Sequence, residues 1–203
     1  MRVAERVVCL DFPCGDVDCS RYEVPPHPVV AGRVRLLLIG EAPAPGAGDS
    51  LFASGMPFHL QTTLDAFRSA GLEAASLADL RRRGIHPTTA LKCAKSGYAV
   101  GRDTVEACSH LLEVEVGLFP QARAILLMGD VAIGAFNAVA RRRTGKRLIP
   151  SGPTYQARRG EYWFEGKRVF PSYSQTGRSY LIEESKRRMI AEDLRAALAL
   201  VEG

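Results

Sequence analysis

The stretch Arg33-Val-Arg-Leu-Leu-Leu-Ile-Gly-Glu-Ala-Pro43 decides the fold. Its run over residues 34–39, apolar apart from Arg35, is short and closed by Gly40, the pattern of a strand buried on both faces of a parallel sheet. Glu41 stands at the carboxyl end of that strand. The loop behind it, Ala42-Pro-Ala-Pro-Gly-Ala-Gly-Asp49, is too rich in proline and glycine for helix or strand. A carboxylate carried by a strand end into a loop of imposed shape occupies the place where α/β folds gather their chemistry.

Reading outward, Phe58, Leu60, Leu64 and Phe67 repeat at helical spacing over residues 57–70, and Gly71 supplies the stop. A short helix over 77–83 and a strand over 87–91 follow, then a helix over 103–117, a strand over 122–128 and a helix over 131–142. Residues 144–172 read as extended, with a hairpin of 154–157 against 162–164 across the turn Arg159-Gly-Glu161, and with Tyr162 and Trp163 as packing residues. A last helix covers 180–200. Strands alternating with helices predict a parallel sheet between helical layers, with Glu41, Cys93, Asp130 and Tyr173 near strand ends.

The chain has 203 residues, of which 46% are hydrophobic and 24% charged, enough for one stable core and too few for two full domains. The single domain spans 1–203, and the Pro-rich Val24-Pro-Pro-His-Pro28 makes residues 1–30 an irregular, cysteine-bearing lead-in. Met1 to Arg6 carries charges of both signs, and no apolar run approaches the roughly 18 residues of a membrane span, so a soluble cytoplasmic protein without a membrane partner is expected. Five cysteines are an odd number for a disulfide framework. Metal ligation and plain buried thiols remain. The formal charge of +5 favours polyanionic partners. The clusters Arg81 to Arg83, Arg141 to Arg143 with Lys146-Arg147, and Lys186 to Arg188 suit a nucleic-acid backbone as well as they suit solvent.

Taken in order, Gly40-Glu-Ala-Pro43, Asp49, Gly55-Met-Pro-Phe58, Leu91-Lys-Cys93, Cys108, the strand Ala124-Ile-Leu-Leu-Met-Gly129 and the terminal Ala191-Glu-Asp-Leu194 resemble the uracil-DNA glycosylase superfamily, in particular its iron-sulfur-containing bacterial and archaeal branch. The likeness covers about residues 9 to 200 and rests on order and spacing together. It implies a three-layer αβα sandwich around a mainly parallel four-stranded sheet. It also implies a monomeric hydrolase of base excision repair that acts on a flipped, damaged base in DNA.

The resemblance further implies that four cysteines bind a [4Fe-4S] cluster. Cys93 and Cys108, with fourteen residues between them, suit the second ligand pair. Cys14 and Cys19 are assigned as the first, since they flank a loop rich in Gly and Asp, whereas Cys9 sits within apolar Val7-Val-Cys-Leu10. Their spacing is Cys-x4-Cys where the family has Cys-x-x-Cys. Zinc is the alternative, because four thiolates suit it equally.

By family position Glu41 handles the attacking water or the positive sugar, Asp49 is a second carboxylate of the same loop, Ala42 lies against the substrate and Phe58 is the platform for the base. Thr89 stands where the family has an Asn that reads the uracil edge, and one hydroxyl cannot make that two-sided contact. Ser174 stands where the family has a His for the leaving base, within Ser174-Gln-Thr-Gly-Arg178. There Gln175 can read a base edge, and Arg178 can supply positive charge or bind phosphate. His86 is a substitute acid near Thr89. The two replacements imply a specificity other than uracil, or a protein that binds a flipped or single-stranded base without cutting it. A small α/β enzyme for a phosphorylated metabolite is the remaining reading, although the loop lacks a P-loop ending and Glu41 repels phosphate.

Overall fold

All of Leu36–Gly40 is buried: Leu36 and Leu38 enter one apolar layer, Leu37 and Ile39 the opposite one. The computed structural model describes residues 1–177 and 179–201. Its strands are β1 (Val17–Asp18), β2 (Leu36–Gly40), β3 (Ile85–Thr89), β4 (Ala94–Lys95), β5 (Ala124–Met128), β6 (Tyr162–Phe164) and β7 (Lys167–Ser172). Its α-helices are α1 (Phe58–Ser69), α2 (Leu77–Arg82), α3 (Arg102–Gly117), α4 (Asp130–Thr144), α5 (Thr154–Ala157), α6 (Ser179–Ile182) and α7 (Glu184–Val201).

The central sheet has the order β3-β2-β5-β7-β6. Its first four strands are parallel, and β6 joins β7 antiparallel at the edge, so the expected sandwich has five strands rather than four. On one face α1, α2 and α7 cover Leu36, Leu38, Leu126 and Met128; on the other α3 and α4 cover Leu37, Ile39, Ile125 and Leu127. Each leucine so enclosed stabilises the fold by about 1.5–3 kcal/mol relative to an exposed one. The carboxyl-terminal helix α7 is tied to the sheet by Asp193, which accepts from Arg158 at 2.8 and 3.0 Å and from the Ser172 hydroxyl at 2.6 Å.

Three further expectations are corrected. Residues 154–157 form the helical turn α5, and the partner of β6 is β7. The turn between them is Glu165-Gly166, with φ of 48° and 77°, the pair of positive angles that a tight hairpin demands. The last helix divides into α6 and α7. Trp163, expected to pack, is 56% exposed, with the Arg168 guanidinium 5.9 Å from its ring centroid.

The lead-in is fastened rather than free. Val3 and Val7 are buried in the layer of α3 and α4, and β1 pairs antiparallel with β4, setting Asp18 opposite Ala94. Asp16 accepts from the Gly101 N–H at 2.5 Å and from the Thr104 hydroxyl at the start of α3, which holds its carboxyl below the usual range. Among the described residues no helix is long and apolar enough to cross a membrane.

Candidate active site

The parallel strands all end on the same side, and a cleft of about 490 Å³ opens there. Its walls come from the loops after β2, β4, β5 and β7, with Glu41, Lys95, Asp130, Tyr173 and Ser174 among its lining. A second cavity of about 20 Å³ shares Ala42, Pro43, His59 and Thr176 with it and adds Glu23, Thr89 and Gln175.

Glu41 is held at two points. Oε2 lies 2.7 Å from Lys95 Nζ, and Oε1 accepts the Val131 N–H at 3.2 Å in the first turn of α4. A carboxylate is favoured there, because unpaired N–H groups and the helix dipole face it. Gly129 makes room: at φ 112° it takes a conformation that suits glycine, and a Cβ on it would lie 2.5 Å from Glu41 Oε1.

The other expected residues divide. Ala42 and Ser174 line the cleft, and the Ser174 hydroxyl is 3.2 Å from that of Thr176. Thr89 and Gln175 line the inner cavity, yet the Thr89 hydroxyl is spent on the Leu91 carbonyl at 2.6 Å. Phe58 and Asp49 line neither space. The side chain after Phe58, His59, lines both; burial pushes its imidazole below the ordinary histidine range, with Asp49 pulling the other way. Arg178 lies outside the described residues.

His86 is not an acid of this site. It is buried, and its Nε2 lies 2.9 Å from Glu115 Oε1, while Glu115 Oε2 lies 2.5 Å from Lys92 Nζ. Lys92 also donates to the Thr88 hydroxyl at 3.0 Å and to the Thr89 carbonyl at 2.6 Å. Behind the cleft this buried network braces the end of β3.

Cys14, Cys19, Cys93 and Cys108 gather in one small cluster with Val17, Tyr22 and Leu91. The β1/β4 ribbon is the cause, since Asp18 opposite Ala94 brings the neighbouring Cys19 and Cys93 together. Burial, reinforced by nearby thiols, pushes Cys93 well up, and burial raises Cys108. Cys9 is half-buried and outside the cluster, though near enough to act on both. Among the described residues no three His, Cys, Asp or Glu side chains stand in a metal-holding arrangement. The donors are nonetheless four thiols in an apolar setting, a set that fits iron-sulfur or zinc chemistry.

Of the basic clusters only the last reaches the cleft, through Lys186. Arg81 to Arg83 precede β3 and so lie at the opposite edge of the sheet; Arg142 and Arg143 sit at the far end of α4, paired with Glu106, Glu113 and Glu165. Sequence reasoning missed Lys95, His59, Glu23 and the fully exposed Tyr98 at the cleft wall. A residue next to Phe58 was one step from being found; the rest depend on the β1/β4 ribbon and its loops, which carry little local signal.

Fold and cleft together define a three-layer α/β protein with its site at the carboxyl edge of a parallel sheet. No protein-family model matches the chain. A type-5 uracil-DNA glycosylase of Thermus thermophilus is 30% identical to it over 153 residues, 71% of this chain and 68% of that protein. The chain belongs to the uracil-DNA glycosylase superfamily.

Proposed function

We propose that this protein is a DNA N-glycosylase that hydrolyses the bond between deoxyribose and a modified base other than uracil. The observation that carries the reading is Glu41, fixed at the cleft by Lys95 and the first turn of α4. As the glycosidic bond breaks, positive charge grows on the sugar and the bonding electrons leave with the base. A preorganised carboxylate stabilises that charge and orients the water that attacks the anomeric carbon. In this reading His59 and the Ser174 hydroxyl, which both line the cleft, donate to the departing base. Exposed Tyr98 and half-buried Lys186 line the cleft and in this reading meet the bases and phosphates around an extruded nucleotide.

Cys14, Cys19, Cys93 and Cys108 hold a [4Fe-4S] cluster in this reading, with zinc as the alternative. The group ties the lead-in to the Lys-Cys loop that ends the β3 side of the site. Iron and sulfide quantitation in anaerobically purified protein separates the two.

One observation favours a second reading, a protein that binds an extruded base without cutting it: the Thr89 hydroxyl is committed to Leu91, and no imidazole occupies position 174. The deciding experiment measures free base released from oligonucleotides bearing deaminated, oxidised or alkylated bases. Release should occur for at least one lesion and fall by about 100-fold or more in Glu41→Gln. Lesion-dependent binding with no release by the wild type would leave the second reading standing.

A further inference from the structure

The inner cavity carries a polar pair that the glycosylase reading leaves without a role. Gln175, from the loop after β7, is 3% exposed, and its Oε1 has no hydrogen-bond partner among the described residues. The orientation of the amide follows from its neighbour. Thr63 gives its hydroxyl proton to the His59 carbonyl at 2.7 Å, so towards Gln175 it can only accept, from Nε2 at 3.5 Å. Oε1 is thereby left as a free acceptor, a costly state for a buried atom.

Glu23 lines the same cavity. It comes from the lead-in, positioned by its N–H on the Lys92 carbonyl at 2.6 Å, and its Oε2 accepts from the buried Ser50 hydroxyl. Two side chains that present oxygen thus face a space with room for one water or for the edge of a larger group whose body stays in the cleft. The hydroxyl at Thr89, which would have supplied a donor, is turned to Leu91.

We propose that Glu23 and Gln175 read the pairing edge of the extruded base. They select an edge with two neighbouring N–H donors, an imino N–H beside an exocyclic amino group, as in guanine-derived lesions. Uracil and hypoxanthine offer one imino N–H without that amino group: uracil sets a carbonyl oxygen against the Glu23 carboxylate and is repelled, while hypoxanthine has only a C–H there and leaves the carboxylate unpaired. The inference rests on the glycosylase reading for the base being there at all.

The test compares two lesions that differ only in the amino group, 8-oxoguanine and 8-oxohypoxanthine, placed in the same oligonucleotide. The wild type should favour 8-oxoguanine in kcat/KM by about tenfold or more. Glu23→Gln and Gln175→Leu should each bring the ratio towards one, with melting temperature and iron content unchanged. A wild-type ratio near one, a preference for uracil, or a ratio that neither variant moves would show a cavity that holds only a structural water. If the wild type releases no base from any lesion of the wider panel, the glycosylase reading fails. The same ratio is then read from equilibrium binding of the two oligonucleotides, where its loss would also sink the inference and its retention would keep it.

Discussion

Lys95 Nζ stands 2.7 Å from Glu41 Oε2, across 54 positions of sequence. Neither side chain reaches the other by local structure. Glu41 follows the central strand β2, while Lys95 is placed by pairing opposite Val17, so the lead-in positions the partner of the acid. In this protein the cysteine-bearing segment and the catalytic candidate are mechanically one unit.

Lys95→Gln should therefore cost activity more than stability. The pair is partly exposed, 27% and 20%, so its loss changes folding by about 1 kcal/mol or less. Glu41 keeps its bond to the α4 N-terminus but loses its second anchor. Single-turnover base release should fall between about 10- and 100-fold, as expected when a reacting group drifts by a fraction of an ångström to an ångström. A variant with wild-type rate would mean that Val131 alone positions the carboxylate.

Gly129→Ala tests the same carboxylate from the other side. The added methyl would lie 2.5 Å from Glu41 Oε1 and 2.7 Å from its Cγ, at a φ of 112° that L-residues rarely adopt. Strain of this kind costs about 1–3 kcal/mol, so the melting temperature should drop together with base release. A folded Gly129→Ala protein with full activity would show Glu41 free to move aside, against the fixed-acid mechanism.

Glu115 gives a pH signature. Burial alone would push its carboxyl up, yet Lys92 and then His86 overcome burial and hold it at about 2, below its ordinary 4.5. The folded-state value is depressed, so the network's stabilisation is complete above about pH 4.5 and is lost as pH falls towards 2. Glu115→Gln leaves the Lys92 ammonium without its counter-charge and should cost about 3–5 kcal/mol at neutral pH. Thermal melts from pH 6 to pH 2 should show the gap between wild type and variant shrinking with acid. A gap that stays constant with pH would remove Glu115 ionisation from the account.

The sheet was legible because its strands declare themselves locally. The run before Gly40 is apolar on both faces, and α1, α3 and α4 keep helical spacing to within two residues of their ends. The errors lie where one cue competed with another. Arg159-Gly-Glu161 looks like a turn, but Glu165-Gly166 makes the hairpin, and β3 begins at Ile85 because parallel pairing with Leu36 outweighs the proline at 87. In the site, Glu41, Ala42, Thr89, Ser174 and Gln175 were accessible from motif position, since each follows or ends a strand. Glu23 and Lys95 were not, because two-residue strands such as β1 and β4 leave no periodicity to read.

The cysteines supply the last prediction. Cys14, Cys19, Cys93 and Cys108 share one apolar cluster, and Cys9 stands outside it. Serine at any of the four should abolish the visible absorbance of a bound cluster and lower iron content. Each should also loosen residues 1–30, read as faster amide exchange at the β1/β4 ribbon, because a bound metal contributes folding energy to the segments it joins. Cys9→Ser should keep the absorbance and the exchange pattern of the wild type. Loss of iron in Cys9→Ser with retention in Cys14→Ser would place Cys9 in the ligand set and exclude Cys14, an exchange that the Cys-x4-Cys-x4-Cys spacing permits.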